Sequence, residues 1–201
     1  MKKYLAFDVG GTSVKYAVVN EEGEVSSSNK FKTPDTLEKM YQEIENVAHE
    51  YQDIEGIALS MPGAVDSDGG IIYGSSAIDY IHGPNIKEDL KQRLNKDVEF
   101  ENDANCAAIG EITAGAGDGL KNVIYITLGT GVGSGIIVNG KLLRGAFGGG
   151  TEAGHMVVMY EGEQCTCGRL GCWEAYASAT ALAREGRMAA AKYPNCEIYN
   201  L

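Results

Sequence analysis

The sequence has no run of apolar residues long enough to cross a bilayer, no block of basic residues and no loop of the G-x-x-x-x-G-K-[ST] type. The first absence excludes a helical membrane span, which needs about 20 consecutive apolar residues. The opening Met1-Lys2-Lys3-Tyr4 runs straight into strand-like sequence, without the apolar segment and small-residue cleavage site of a secretory leader. The chain therefore reads as cytoplasmic. Its 17 basic and 28 acidic residues give a net charge of -11, and the lack of a basic face argues against a nucleic-acid surface. The missing lysine loop excludes a P-loop nucleotidase. No low-complexity tract marks a linker, and 201 residues suffice for one large or two small domains with real cores.

Glycine is abundant: 27 residues of 201, roughly twice the usual share of about 7%. Glycine lets a backbone turn sharply or approach a ligand closely, so the clusters at Gly10-Gly11, Gly129 to Gly135 and Gly145 to Gly154 mark candidate ligand-facing loops. The last cluster leads into the chemically richest stretch. His155, Cys165, Cys167 and Cys172 supply one imidazole and three thiols, the ligand set of a closed tetrahedral zinc site. Disulfides are the poorer reading, because cysteines one residue apart are badly placed to bridge and five cysteines with no pairing pattern fit a reducing compartment. With four protein ligands no coordination position stays open, so such a metal folds the loop and performs no chemistry.

Residues 4–9 and 14–19 read as two strands joined by a tight turn at Gly10-Gly11-Thr12, followed by a third strand over 25–32. A helix with Thr33 as N-cap and Pro34 in its first turn comes next. Its apolar face is Leu37, Met40, Tyr41, Ile44, Val47, Ala48 and Tyr51. Residues 54–61 read as a buried strand broken by Pro62-Gly63, residues 71–83 as irregular with His82 an exposed loop residue, 86–94 as a short helix and 98–101 as a strand. His49 falls within the first helix with no site pattern around it. The sequence Glu101-Asn102-Asp103-Ala104-Asn105 then enters a helix over 104–114, where Asn and Asp serve equally as N-caps or as working side chains. A second strand-turn-strand follows, with residues 122–128, the turn Gly129-Thr130-Gly131-Val132-Gly133, and a partner at 136–138 closed by Asn139-Gly140. Like Asp8-x-Gly10-Gly11-Thr12, this turn is compatible with a bare hairpin or with a phosphate cradle of backbone N–H groups. After Glu174 one long alanine-rich helix is expected to run to about Lys192 and stop near Pro194, before the chain ends at Asn200-Leu201.

Glu152-x-x-His155 followed by C-x-C-G-x-x-G-C-x-E, with E-N-D-A-N at 101–105 and D-x-G-G-T at 8–12, strongly resembles the ROK family of bacterial sugar kinases and regulators. The resemblance implies an α/β protein of the actin-like, RNase H-like ATPase superfold, with two α/β domains flanking a cleft. Residues 1–115 would form the first, and 116–201 part of the second. It implies Asp103 as catalytic base, with Asn102, Glu152, His155 and Glu174 on the hydroxyls of a hexose, Gly63 of the P-G-x-V-D turn bordering the sugar pocket, and His155 using its second ring nitrogen for the sugar. Asp8 would serve Mg2+, and Gly10, Gly11, Thr12, Gly129, Thr130, Gly131 and Gly133 would hold the phosphates of ATP. The family often has Lys directly after the Thr of the first turn, where this chain has Ser13, with Lys15 further on.

The implied activity is ATP-dependent phosphorylation of a hexose, glucose first, with fructose, mannose, an N-acetylhexosamine or a β-glucoside as alternatives. ROK repressors share the zinc loop, which makes a sugar-sensing regulator the rival reading. Their DNA-binding helices precede the first phosphate turn, whereas Asp8 lies near the start of this chain. Family members are roughly half as long again, so the chain is expected to be a fragment or truncated form without the adenine contacts; a third reading is that this chain binds sugar or zinc and is inactive alone because its nucleotide site is incomplete. The full-length form is expected to be a homo-oligomer, and a shortened chain to expose apolar surface.

Overall fold

In the first twenty residues apolar side chains fall on every second position, and a computed structural model, which describes residues 1–74, 76, 78–146, 148–193 and 197, turns that alternation into a hairpin of β1 (Lys3–Val9) and β2 (Ser13–Asn20). β3 (Val25–Lys32) extends it on one side. On the other side β4 (Gly56–Met61) pairs parallel to β1, and the later β7 (Asp97–Asn102) pairs parallel to β4. The order is β3-β2-β1-β4-β7. Leu5, Phe7 and Val9 point to the face covered by α1 (Leu37–Glu50) and α2 (Ile86–Leu94), where Met40, Tyr41, Ile44, Leu59, Leu90 and Phe100 complete the core. The alternate residues Ala6, Ala17 and Ala58 face an open groove of about 1150 Å³.

Three local expectations are corrected. The N-cap of α1 is Thr36, whose hydroxyl accepts from Lys39 N at 3.4 Å, and not Thr33. Thr33 is instead bonded to the first turn, its N–H donating to Thr12 O at 3.2 Å and its hydroxyl to Gly10 O at 2.5 Å. The described residues within 71–83 hold more structure than expected: β6 (Ile71–Tyr73) pairs with β5 (Ala64–Asp66), and Asp79–Ile81 make a 3-10 turn. Three-residue strands are too short to show a period. The expected single helix after Glu174 is two, α4 (Glu174–Ala177) and α5 (Ala179–Lys192), because Ser178 is extended and its hydroxyl accepts from Ala181 N at 3.0 Å, capping a new helix. Pro194, Asn200 and Leu201 lie outside the described residues.

From β7 the chain passes into α3 (Asp103–Ala114), which lies on a second sheet of order β10-β9-β8, made by β8 (Val123–Leu128), β9 (Val132–Val138) and β10 (Lys141–Leu142). The turn between β8 and β9 closes at Gly129-Thr130-Gly131, where Gly129 N donates to Gly131 O at 3.0 Å. Gly133 therefore sits within β9 and not in the turn. Its role there is steric, as is that of Gly135: a Cβ at Gly133 would lie 3.2 Å from Ala104 Cβ, and one at Gly135 only 2.5 Å from Ala108 Cβ. Bare backbone in β9 is what lets α3 approach. No helix among the described residues is long and apolar enough to cross a membrane.

Two glycine substitutions test this packing. Gly135→Ala should destabilise the fold by about 1–3 kcal/mol through overpacking. Gly110→Ala, in α3 with nothing near its added methyl, should stabilise by up to about 1 kcal/mol through helix propensity. Urea unfolding midpoints check both, and equal responses would contradict the close α3–β9 contact.

Candidate active site and metal centre

Because β1, β4 and β7 run parallel, their C-terminal ends deliver Asp8, Ser60 and Glu101-Asn102 to one edge of the sheet. Ser60 Oγ donates to Asp8 Oδ1 at 3.0 Å, and Lys15 Nζ lies 3.5 Å from Oδ2. At the start of α3 the geometry separates two side chains the sequence left equivalent. Asn102 is the cap: its Oδ1 accepts from Ala104 N and Asn105 N at 3.0 and 3.2 Å, while its Nδ2 donates to Gly63 O at 3.0 Å. Asp103 is left with one backbone bond, from Ala104 N at 2.8 Å, and a carboxylate partly open to solvent. The protein crowding its other side pushes its pKa above the usual carboxylate value, and the charge of Asp8 adds to this.

Gly63 adopts φ +100°, and a side chain there would press on Ile72 and on the His82 ring. His82 is thus half-buried and not the exposed loop residue expected. Its Nε2 lies 3.0 Å from Ser76 Oγ, and its buried Nδ1 has no partner among the described residues.

The segment after β10 returns through a 3-10 turn at Ala153–His155. There the ligand atoms of His155, Cys165, Cys167 and Cys172 all lie within 4.8 Å of one another. His155 Nδ1 is 3.5 Å from Cys165 Sγ, and Cys167 Sγ is 3.7 Å from Cys172 Sγ. Tetrahedral zinc with bonds of about 2.3 Å to sulfur sets sulfurs roughly 3.8 Å apart, so the four residues fit that ion. A knuckle holds them: Cys165 N donates to Arg169 O, Gly168 N to Cys165 O and Gly171 N to Glu163 O, with Gly168 and Gly171 at positive φ. Backbone hydrogen bonding from Arg169 draws the exposed Cys167 thiol down to about 6, whereas burial pushes Cys172 up to about 11. With Nδ1 against the sulfurs, His155 keeps Nε2 for another partner.

Glu152 and Glu174 complete the cluster. Burial raises the Glu152 pKa, opposed by the His155 charge and reinforced by Asp103 and Glu174. Glu152 and His155, from one short segment, therefore share an electrostatic neighbourhood with the distant Asp103 and Glu174. Glu174 is also a brace: Oε1 accepts from Thr166 Oγ1 at 3.0 Å, and Oε2 from Val132 N at 3.1 Å, tight against Gly131. It ties the knuckle to the second glycine turn. Ala179 N and Thr180 Oγ1 fasten the same turn through Gly129 O and Thr130 O, both at 2.8 Å. Thr33, as described, fastens the first turn at Gly10, with Gly11 and Thr12 exposed beside it.

Two residues to which sequence reasoning gave no role stand at the centre. Glu101 is buried and receives Arg144 Nε at 2.6 Å. A glutamate at the end of a strand otherwise buried through Val98 and Phe100 was the only signal for the first, and nothing local marked the second.

A parallel-centred sheet presenting Asp8 and Asp103 at one edge, with a glycine turn on each of two sheets, is the actin-like ATPase fold. The chain belongs to the ROK family, whose pattern matches residues 4–201. It is 41% identical over 196 residues to the glucokinase of Streptomyces coelicolor, an alignment covering 94% of this chain and 61% of that protein. The crystal structure of a ROK family glucokinase from Streptomyces griseus in complex with glucose and AMPPNP is similar at TM-score 0.83 and 42% identity, over 96% of this chain and 62% of that one. The xylose repressor of Bacillus subtilis is 36% identical over 146 residues, 73% of this chain and 38% of the repressor. The chain thus spans less than two thirds of the length of the glucokinases it matches.

Purified chain should carry one zinc that survives dialysis, since structural sites bind with apparent energies of about 10 kcal/mol or more. Cys172→Ala should lose the metal, and a strong chelator should change the fluorescence of Trp173, the only tryptophan. Metal-free protein with unchanged Trp173 emission after chelation would contradict the assignment.

Proposed function

We propose that this protein transfers the terminal phosphoryl group of ATP to a hydroxyl of a hexose, glucose first among candidates. The observation that carries the reading is the Asp103 carboxylate, freed by the Asn102 cap, raised in proton affinity and grouped with Glu152, His155 and Glu174. The similar glucokinase solved with glucose and AMPPNP supports the choice of sugar and nucleotide. Residues 1–115 and 116–201 are read as contributing to two lobes around the site.

In this reading Asn102, Glu152, His155 and Glu174 accept or donate to sugar hydroxyls, and Gly63 lets the sugar approach backbone. Asp103 takes the proton of the attacking hydroxyl as its oxygen bonds to the γ-phosphorus and the bond to the bridging oxygen breaks, releasing ADP. A positioned base of this kind contributes typically 10²–10⁴-fold. Gly10, Gly11, Thr12, Gly129, Thr130, Gly131 and Gly133 are assigned to the phosphates, each turn closing one side of the triphosphate; Gly10 N and Gly129 N close the turns themselves on Ser13 O and Gly131 O, and Gly133 lies inside β9. Asp8, an oxygen ligand at the same edge, would hold Mg2+, which when bound neutralises phosphate charge. His155, Cys165, Cys167 and Cys172 would hold zinc, which keeps the knuckle folded. The reaction is placed in the cytoplasm. Self-association is part of the same reading, supported by the exposed Ile124, Ile126 and Leu128 along β8.

The identity with a xylose repressor favours one alternative, a sugar sensor that binds without turnover. An ADP-release assay over a panel of hexoses separates the two: the kinase reading requires sugar-dependent turnover, and sugar binding with none supports the sensor. Asp103→Asn should keep sugar affinity within a few-fold and lose at least about 10²-fold in kcat. In an NMR titration the Asp103 carboxyl should deprotonate above the ordinary aspartate value of about 3.9. Asp8→Asn should lower that pKa, because removing a nearby negative charge favours ionisation. A value at or below the ordinary one, or no response to Asp8→Asn, would contradict the electrostatic account.

A further inference from the structure

Glu101 is 7% exposed and accepts four hydrogen bonds. Its Oε1 receives Asn102 N at 2.9 Å and Asn105 Nδ2 at 3.0 Å; its Oε2 receives Ser67 Oγ at 3.0 Å and Arg144 Nε at 2.6 Å. A carboxylate has about four lone-pair directions, and all are used. It has none left for a substrate, so any role in the reaction acts through its neighbours.

Those neighbours carry the two sides of the candidate site. Asn102 and Asn105 bracket Asp103 in the first turn of α3. Arg144 opens the segment that bears Glu152, and its carbonyl accepts from Gly150 N at 3.0 Å. The link is doubled deeper in: Thr151 Oγ1 lies 3.3 Å from Asn105 Oδ1, Ser134 Oγ donates to Thr151 O, and Ala153 N donates to Ser134 Oγ at 3.0 Å. Asn105, Ser134 and Thr151 are buried, at 1%, 4% and 6% exposure. Buried networks whose groups are all satisfied are stiff, and breaking one member leaves the others unpaired in a low dielectric.

We propose that Glu101 and Arg144 form a positioning pair that fixes Asp103 relative to Glu152 across the candidate site. The inference rests on the kinase reading for its catalytic consequence. The pair sets kcat by holding the base and the opposite hydroxyl acceptor in one geometry, and leaves nucleotide affinity largely alone. Arg144 is half-exposed while Glu101 is buried, so the arginine is the member that solvent reaches, and the carboxylate is the fixed anchor.

The test uses the whole chain with Glu101→Gln, Arg144→Met, the double variant and Arg144→Lys. Glutamine replaces one acceptor oxygen with a donor, which opposes donors already in place. Each single variant should lower kcat on the order of 100-fold, the scale of an ångström misplacement, with KM for MgATP changed by less than about threefold. The double should be no worse than about the poorer single, because the two act as a unit. Arg144→Lys, which keeps a charged donor, should recover roughly tenfold of the loss. In hydrogen exchange, amides 101–106 and 148–154 should lose protection together while zinc content stays at the wild-type value, which shows that the variants fold. Additive losses, an effect mainly on KM for MgATP, or exchange rising in one segment alone would overturn the pair. Should the wild-type chain show no turnover, the kinase reading fails and the exchange arm decides the pair by itself: joint loss of protection upholds the link, and loss in one segment removes it.

Discussion

The Asn102 cap is the interaction on which the site depends. A helix start leaves backbone N–H groups without partners, and here one asparagine takes two of them through Oδ1 while its Nδ2 holds Gly63 O. One side chain thereby joins β7, α3 and the turn after β4. Its neighbour Asp103 keeps one bond, from Ala104 N, and presents a carboxylate partly open to solvent beside the charge of Asp8. Crowding by protein and the charge of Asp8 raise its proton affinity against the hydrogen bonds at the helix start, which suits it to the role of base proposed for it.

The second constraint is steric. α3 must lie on the second sheet for the charges of Asp103 and Glu152 to act on each other, and it can approach only because Gly133 and Gly135 have no side chains. Glycine in β9 is thus as much a part of the site as the turn glycines at 129 and 131. The knuckle acts from the far side: Glu174 bonds both to it and to Val132 at the second turn, so the fold of the cysteine loop is felt at a turn that carries none of its ligands.

Much of this was legible in the sequence. The alternation of Leu5, Phe7 and Val9, the helical spacing of Met40, Tyr41, Ile44, Val47 and Ala48, and the Asn139-Gly140 turn are local signals, and local physics realises them. The His155, Cys165, Cys167 and Cys172 set was legible because its residue types are rare outside metal sites. What was hidden depended on distant partners or fine backbone choices. Thr33 read as the helix cap until the fold showed it bonded to the first turn, with Thr36 as the cap, and Ser178 breaks a helix that alanine content alone would continue. Glu101 and Arg144 lie 43 positions apart, and no period or motif links them. Glu101 was in view in E-N-D-A-N, yet only the fold reveals that it accepts four donors. The placement of His82 beside Gly63 was equally beyond a one-dimensional reading, because it depends on the short β5–β6 pair bringing Ile72 to Gly83.

The central proposal is that these groups together move a phosphoryl group to a sugar. The most direct measurement is 31P NMR of the purified chain with MgATP and glucose, following phosphorus from nucleotide to product. The account predicts that the γ-phosphate signal converts to a sugar monophosphate with one ADP formed per product and little free phosphate, and that this requires the hexose. Inorganic phosphate released at the same rate with or without sugar, or an unchanged spectrum from protein that binds glucose, would contradict it.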